Sequence, residues 1–328
     1  MYVQYSTYKG TVITSYLSRM LRMFRGLAPA VAISCGAQLG AYSVSTFGRE
    51  EPTEHYYDLS GAATHLAIAA HAVASSRKRG AMNPRVVLMA TLSSVWALRL
   101  GGYLYERVQR VGGDERFATL KRDPLTWTVP WAFQAVWCFA LQAPLAIAAS
   151  TGAADKLMRR DVIGAAIFIG GLAFEWAADA QKDAFKREHK TEPMMGGLFA
   201  YSVYANYFGE CSLWWGQFLL AAPAATTWPL LAAASAAPLV DCLLIWAVSG
   251  IPMAERSAWR KYGADPTYLD YRARTSLFWP LPPKLAASPE DMNRVRQLAA
   301  AHSVEAPPPQ ARPPPERPPA PSPRHRSF

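Results

Sequence analysis

The sequence predicts an all-α protein: a polytopic transmembrane helical bundle of about seven spans, followed by a disordered Pro-rich tail. Three observations predict it. First, seven runs of near-span length are almost free of charge, and a bilayer core of ~30 Å needs roughly 20 apolar residues in a helix. Second, these runs are rich in Ala and Leu and lack the period-2 alternation of strands. Third, many of the 11 tryptophans sit near the ends of the runs, where an amphipathic ring suits a membrane interface.

In chain order, residues 1–26 come first. Met1–Gly48 contains no Asp or Glu but carries Lys9, Arg19, Arg22 and Arg25. The first 26 residues therefore read either as a basic N-terminal arm or as a transit-like segment. The runs follow. Leu27–Phe47 is uncharged, and Leu59–Ser76 is uncharged but includes His65 and His71. Pro84–Tyr103 holds Arg85 near its start and Arg99 near its end, and Thr128–Ser150 is uncharged. Val162–Ala178, Tyr207–Ala225 and Trp228–Gly250 each carry a single acid: Glu175, Glu210 and Asp241. Residues 284–328 read as a linker and tail. From Ala306 onward Pro is too frequent for helix or sheet, which leaves disorder or polyproline-II.

The remaining composition narrows the function. The net charge of +10 is spread over loops and tail, so flanking charge on membrane spans explains it better than nucleic-acid binding does. Cys35, Cys138, Cys211 and Cys242 are widely separated inside apolar runs, without ligand spacing. They read as small buried hydrophobes, and no metal site is expected.

Three stretches carry chemistry. In Phe174–Lys186, Glu175 and Asp179 are four apart and share a helix face, continued by Lys182 and Lys186. A carboxylate at a span end is costly unless it meets a bundle interior or a wet cavity. The bland alternative is i,i+4 ion pairing where the helix emerges. In Gly196–Glu210, a Gly-Gly turn precedes Tyr201, Ser202, Tyr204, Asn206, Tyr207 and Glu210. Asn206 and Glu210 share a face, and an amide beside a carboxyl suits a carboxamide ligand. The alternative is an interfacial aromatic belt with capping groups. In Gly250–Ser276, Tyr268 and Tyr271 lie close to Arg272 and Arg274, a set able to stack on a base and hold a phosphate. An amphipathic juxtamembrane helix is the other reading.

Together these stretches resemble the steroid 5-alpha-reductase superfamily, especially its broad branch of uncharacterised multispan proteins with a steroid-reductase-like C-terminal domain. The matching elements are Asp179-Ala-Gln-Lys182, Gly197-Leu-Phe-Ala-Tyr-Ser-Val-Tyr-Ala-Asn-Tyr-Phe-Gly-Glu210, Gly250-Ile-Pro-Met-Ala-Glu255 and Tyr268-Leu-Asp-Tyr-Arg-Ala-Arg-Thr-Ser276. Looser matches are Tyr57-Asp-Leu-Ser-Gly61, Trp96-Ala-Leu-Arg-Leu-Gly101 and Gly113-Asp-Glu-Arg-Phe117.

The resemblance implies a steroid-reductase-like domain over residues 27–283 whose half from about 161 to 283 binds NADPH. It implies reduction of a lipid enone, of sterol or unsaturated acyl type, by hydride transfer to the β-carbon. By position, Asp179 would hold the ribose or adenine end and Asn206 and Glu210 the nicotinamide end. Tyr201, Tyr268 and Tyr271 would line the nucleotide, with Lys182 and Arg272 as its cations. Two departures stand out. The branch's Arg-His-Pro is Val203-Tyr204-Ala205, and Trp96 falls where steroid reductases place a carbonyl-polarising Tyr. Arg99, Tyr103 or Tyr105 are the substitutes at hand, with Glu210 near the reacting end.

These departures and the unusual chain ends leave a second expectation, a non-catalytic structural or accessory subunit of a membrane complex. A third is a methyltransferase of the isoprenylcysteine type. The partners expected are membrane lipids and a lipid-like substrate, with protein partners through the Pro-rich tail or a complex. The compartment expected is the endoplasmic reticulum or an organelle inner membrane, mitochondrial or plastid.

Overall fold

The structure, a computed structural model, describes residues 25–303 except 49, 79–81, 115–116 and 152–155. The basic segment up to residue 24 and the Pro-rich tail from residue 304 lie outside the described residues. Among the described residues all regular structure is helical. Five helices are long and apolar enough to cross a membrane. They are α1 (Arg25–Thr46), α3 (Pro84–Val111), α4 (Pro124–Thr151), α5 (Arg159–Glu188) and a composite running from Trp228 to Tyr262. The composite consists of α7 (Trp228–Ala234), α8 (Ala236–Leu243), a π-helical turn at Leu244–Val248 and α9 (Ile251–Tyr262).

The other two expected spans are also helices, but they fall short of that standard. One is α2 (Tyr57–Lys78), whose 22 residues include Asp58, His65 and His71 and end on Arg77 and Lys78. The other is α6 (Ala205–Ala221), of 17 residues. For α6 the length accounts for the difference, and for α2 the polar groups do, some of which turn toward partners inside the bundle. Gln38 donates to Thr64 at 2.8 Å, and Gln142 of α4 meets His65 at 3.1 Å. Such interhelical hydrogen bonds hold helices together where lipid offers no hydrophobic driving force.

Local signals set the helix ends. Asn83 caps α3, accepting from Arg85 N at 3.0 Å ahead of Pro84, and Gly112 closes the helix at φ 84°. The closest packing is between α5 and α6, where glycines face backbone. A Cβ at Gly209 would lie 2.6 Å from Glu175 N, and one at Gly216 would lie 2.6 Å from Gly164 O. Only small residues allow helices to approach that closely. This contact brings the acids of α5 alongside the polar start of α6.

The ends of α3 and α5 and the starts of α2, α4 and α6 gather at one end of the bundle, as the pairs Tyr57–Pro130, Arg99–Asp179 and Asp179–Asn206 show. The segment after residue 283, expected as a linker, instead forms α11 (Pro289–Ser303). Val295 and Ala299, four apart, bury against Trp259 and Tyr268 of α9 and α10 (Pro266–Arg274).

Candidate functional site

The polar end of the bundle holds two clusters. The first is built on α3, α5 and α6. Arg99 points from α3 to α5, where Glu175 and Asp179 lie one turn apart. Its guanidinium pairs with Glu175 through one nitrogen and donates to Asp179 Oδ2 at 2.9 Å through the other. All three side chains are less than 10 % exposed. Asn206, at the start of α6, donates to Asp179 Oδ1 at 3.1 Å. One turn deeper, Glu210 accepts from Trp96 at 3.3 Å and from Trp214 at 3.1 Å. Three buried carboxyl groups thus gather around one guanidinium. Glu175 Oε2 and Arg99 Nε are buried without a partner. Buried polar atoms are nearly always paired, so these two mark unspent binding capacity.

Toward the mouth, Tyr103 donates to Asp183 at 3.4 Å, and Arg110 approaches the same acid at 3.7 Å. Lys182 is exposed, with its ammonium 5.9 Å from the Phe199 ring centre. Gln181 accepts from Leu198 N at 2.8 Å and pins the turn at Gly197. Gly197 has φ 58°, and a Cβ there would lie 2.3 Å from Gln181 Oε1, so this position needs glycine twice over. Tyr201, the next polar residue, is 46 % exposed.

The second cluster ties α9 and α10 to the start of α6. Arg272 makes a bidentate pair with Glu255 at 2.8 and 2.9 Å and stacks over Trp259 at 4.6 Å. Tyr204 and Trp259 also donate to Glu255, the latter at 2.9 Å. Tyr268 accepts from Arg272 at 3.0 Å, and Tyr271 donates to Phe199 O at 2.7 Å. Burial pushes the Tyr204, Tyr268 and Tyr271 phenols up, and the Glu255 charge adds to this. Burial works against the Arg272 cation, but Glu255 and Tyr268 more than reverse it and hold the charge.

The sequence candidates therefore divide. Arg99, Asp179, Asn206 and Glu210 come together, with Tyr103 one turn above them. Lys182 and Tyr201 lie on the exposed rim. Tyr268 and Arg272 belong to the Glu255 box, which is joined to the start of α6 through Tyr204, and Tyr271 is held by Phe199 O. Sequence reasoning ranked Glu175 as a face partner rather than a site residue, and it missed Trp214. It gave no role to His65 or Gln142. A lone polar residue inside an apolar run was the available signal for both. Among the described residues, no group of three or more His, Cys, Asp and Glu could hold a metal ion.

Comparison with known families matches residues 47–275 to a family described as a protein of unknown function, DUF1295. No curated protein and no solved structure matches.

Proposed function

The chain belongs to the DUF1295 family, and from that premise we propose that it is an NADPH-dependent membrane reductase of a lipid enone, of the steroid 5-alpha-reductase type. The observation that carries the reading is the open cluster at the polar end of the bundle. Arg99, Asp179 and Asn206 interlock there above Glu210, with Glu175 Oε2 and Arg99 Nε unpaired. A buried donor and a buried acceptor without partners fit a ligand rich in hydroxyls and amides. The same end of the bundle supplies both a polar mouth and apolar helix flanks, which suits a polar nucleotide meeting a lipid-borne substrate.

NADPH, when bound, supplies the hydride. The residues of the chain would bind and orient. Asp179 would accept from ribose hydroxyls, and the Asn206 amide and the Glu210 carboxyl would face the carboxamide. Arg99 would keep the two α5 carboxylates from repelling a phosphorylated ligand. Trp96 and Trp214 exclude water from Glu210. Lys182, on the rim, would supply a cation for phosphate.

Titrating the full chain in nanodiscs with NADPH and following nicotinamide fluorescence tests the reading. Saturable enhancement or a blue shift is expected, weakened by Asp179→Asn. No binding at millimolar NADPH would overturn it.

A further inference from the structure

The middle of the bundle holds a polar group with no part in the cofactor cluster. His65, on α2, is 1 % exposed. Trp96 and Trp137 stand edge-on to its ring at 5.0 and 5.1 Å, and Trp214 lies 6.5 Å away. Its Nδ1 lies 3.1 Å from Nε2 of Gln142. With the amide nitrogen facing the ring, Gln142 donates, Nδ1 accepts and the proton of the neutral imidazole sits on Nε2. That Nε2 has no partner, and Gln142 Oε1 is also left without one. An unpaired buried donor costs about 1–3 kcal/mol, and an apolar residue among these indoles would avoid the cost.

His65 also lines a cavity of about 30 Å³ between α2, α3 and α4, together with Trp96, Leu100, Gln134 and Trp137. A space of that size takes one water-sized polar group. On a neighbouring face of α2 and α3 runs a groove of about 1000 Å³, lined by Leu66, Ala69, Val73, Val95 and Leu98. Exposed Val95 and Leu98 mark it as lipid-facing, and its volume suits a hydrocarbon body. Several other donors near the site are spent, although Arg99 Nε in the cofactor cluster is not. Trp96 N–H goes to Glu210, the Tyr103 hydroxyl to Asp183, and both terminal nitrogens of Arg99 to acids.

We propose that His65 Nε2 is the donor that receives the carbonyl oxygen of the lipid substrate, with Gln142 as the positioning residue that fixes the tautomer. The proposal rests on the reductase reading, in which that carbonyl belongs to the enone. A neutral donor in a dry chamber strengthens as charge develops on the oxygen, so the same contact would serve binding and activation.

Infrared difference spectra of the full chain in nanodiscs test it, with two probes labelled at the carbonyl carbon, cholestenone and hexadecenal. In the wild-type protein, the carbonyl stretch of at least one probe should fall below its value in empty nanodiscs. His65→Phe should abolish the shift, His65→Gln should keep part of it, and Gln142→Met should weaken it. A shift unchanged in His65→Phe, or no shift with either probe, overturns the proposal. If His65→Phe does not fold, the ring nitrogens of histidine-labelled wild-type protein carry the test. The probe must then move the His65 Nε2 resonance, and an unmoved resonance overturns the proposal. NADPH fluorescence on the same samples separates the two readings. Cofactor binding without a His65-dependent shift sinks this inference alone. A His65-dependent shift without cofactor binding supports the donor and sinks the reductase.

Discussion

Two buried arginines on α3 make the most instructive pair in the molecule. Arg85 and Arg99 stand about four turns apart, and so do their partners on α5, Asp161 and Glu175. Both pairs tie α3 to α5, yet they are finished differently. Arg85 pairs with both oxygens of Asp161 and also donates to the carbonyls of Leu220 and Lys156 at 2.9 and 3.0 Å. Asp161 in turn accepts from Met158 N. One cation meets one acid, and the surrounding backbone uses the remaining capacity. Arg99 meets two acids, shares one of them with Asn206, and leaves an atom of its own and one of Glu175 unpaired. A closed pair acts as a strut. An open one keeps hydrogen-bonding capacity for something else.

The comparison can be broken in four ways. The largest effect is expected at the strut. Asp161→Ala leaves the Arg85 charge buried and uncompensated, which should cost about 3–5 kcal/mol of stability. Thermal unfolding in detergent would show it. NADPH affinity of the folded fraction should not change, and a loss of affinity without a loss of stability would erase the distinction between the two pairs.

Asp179→Asn should behave in the opposite way. Arg99 keeps Glu175, so the melting temperature should move little. NADPH affinity should fall roughly tenfold or more, the worth of a charge-assisted hydrogen bond. Fluorescence titration checks it.

Arg272→Lys, in the Glu255 box, replaces a fork and a stacked plane with a point charge and should cost about 1–2 kcal/mol. Its readout is proteolysis within α10 and α11, because the box anchors those helices.

The smallest effect is a pH dependence at Glu54. Burial pushes its carboxyl up, but the Lys121 ammonium at 2.8 Å and the Asp114 N–H at 3.1 Å override this and hold it below the usual range. A depressed carboxyl contributes stability that is complete above its unfolded pKa and is lost as pH falls through the folded one. Protection of the Asp114 amide from hydrogen exchange should therefore persist down to the ordinary carboxylate range and fade only in acid below it. Glu54→Gln should flatten that profile.

The helices were legible in the sequence because uncharged runs of span length leave the chain few alternatives to a buried helix. Glu175 with Asp179, and Asn206 with Glu210, were legible as pairs because i,i+4 spacing puts each pair on one face. The sequence did not reveal that Arg99 lies between Glu175 and Asp179, since α3 and α5 meet only through tertiary packing. It expected Tyr268, Tyr271 and Arg272 at the nucleotide, and it did not reveal that Arg272 pairs with Glu255, that Tyr268 accepts from Arg272 or that Tyr271 donates to Phe199 O. The helix at Pro289–Ser303 was hidden by its nearness to the Pro-rich tail, although Val295, Leu298 and Ala299 already lie on one helical face.

By itself, then, the sequence determined an all-helical membrane-type chain with acids at the polar ends of its later spans. The reason is that hydropathy and helical period are local properties that survive in one dimension. The tertiary structure decided which of two arginines is a strut and which is left open, and which partner each buried tyrosine hydroxyl meets. It also left one histidine nitrogen without a partner among three indoles. These are facts about what each buried polar group meets across helices far apart in the chain, and no local pattern encodes them.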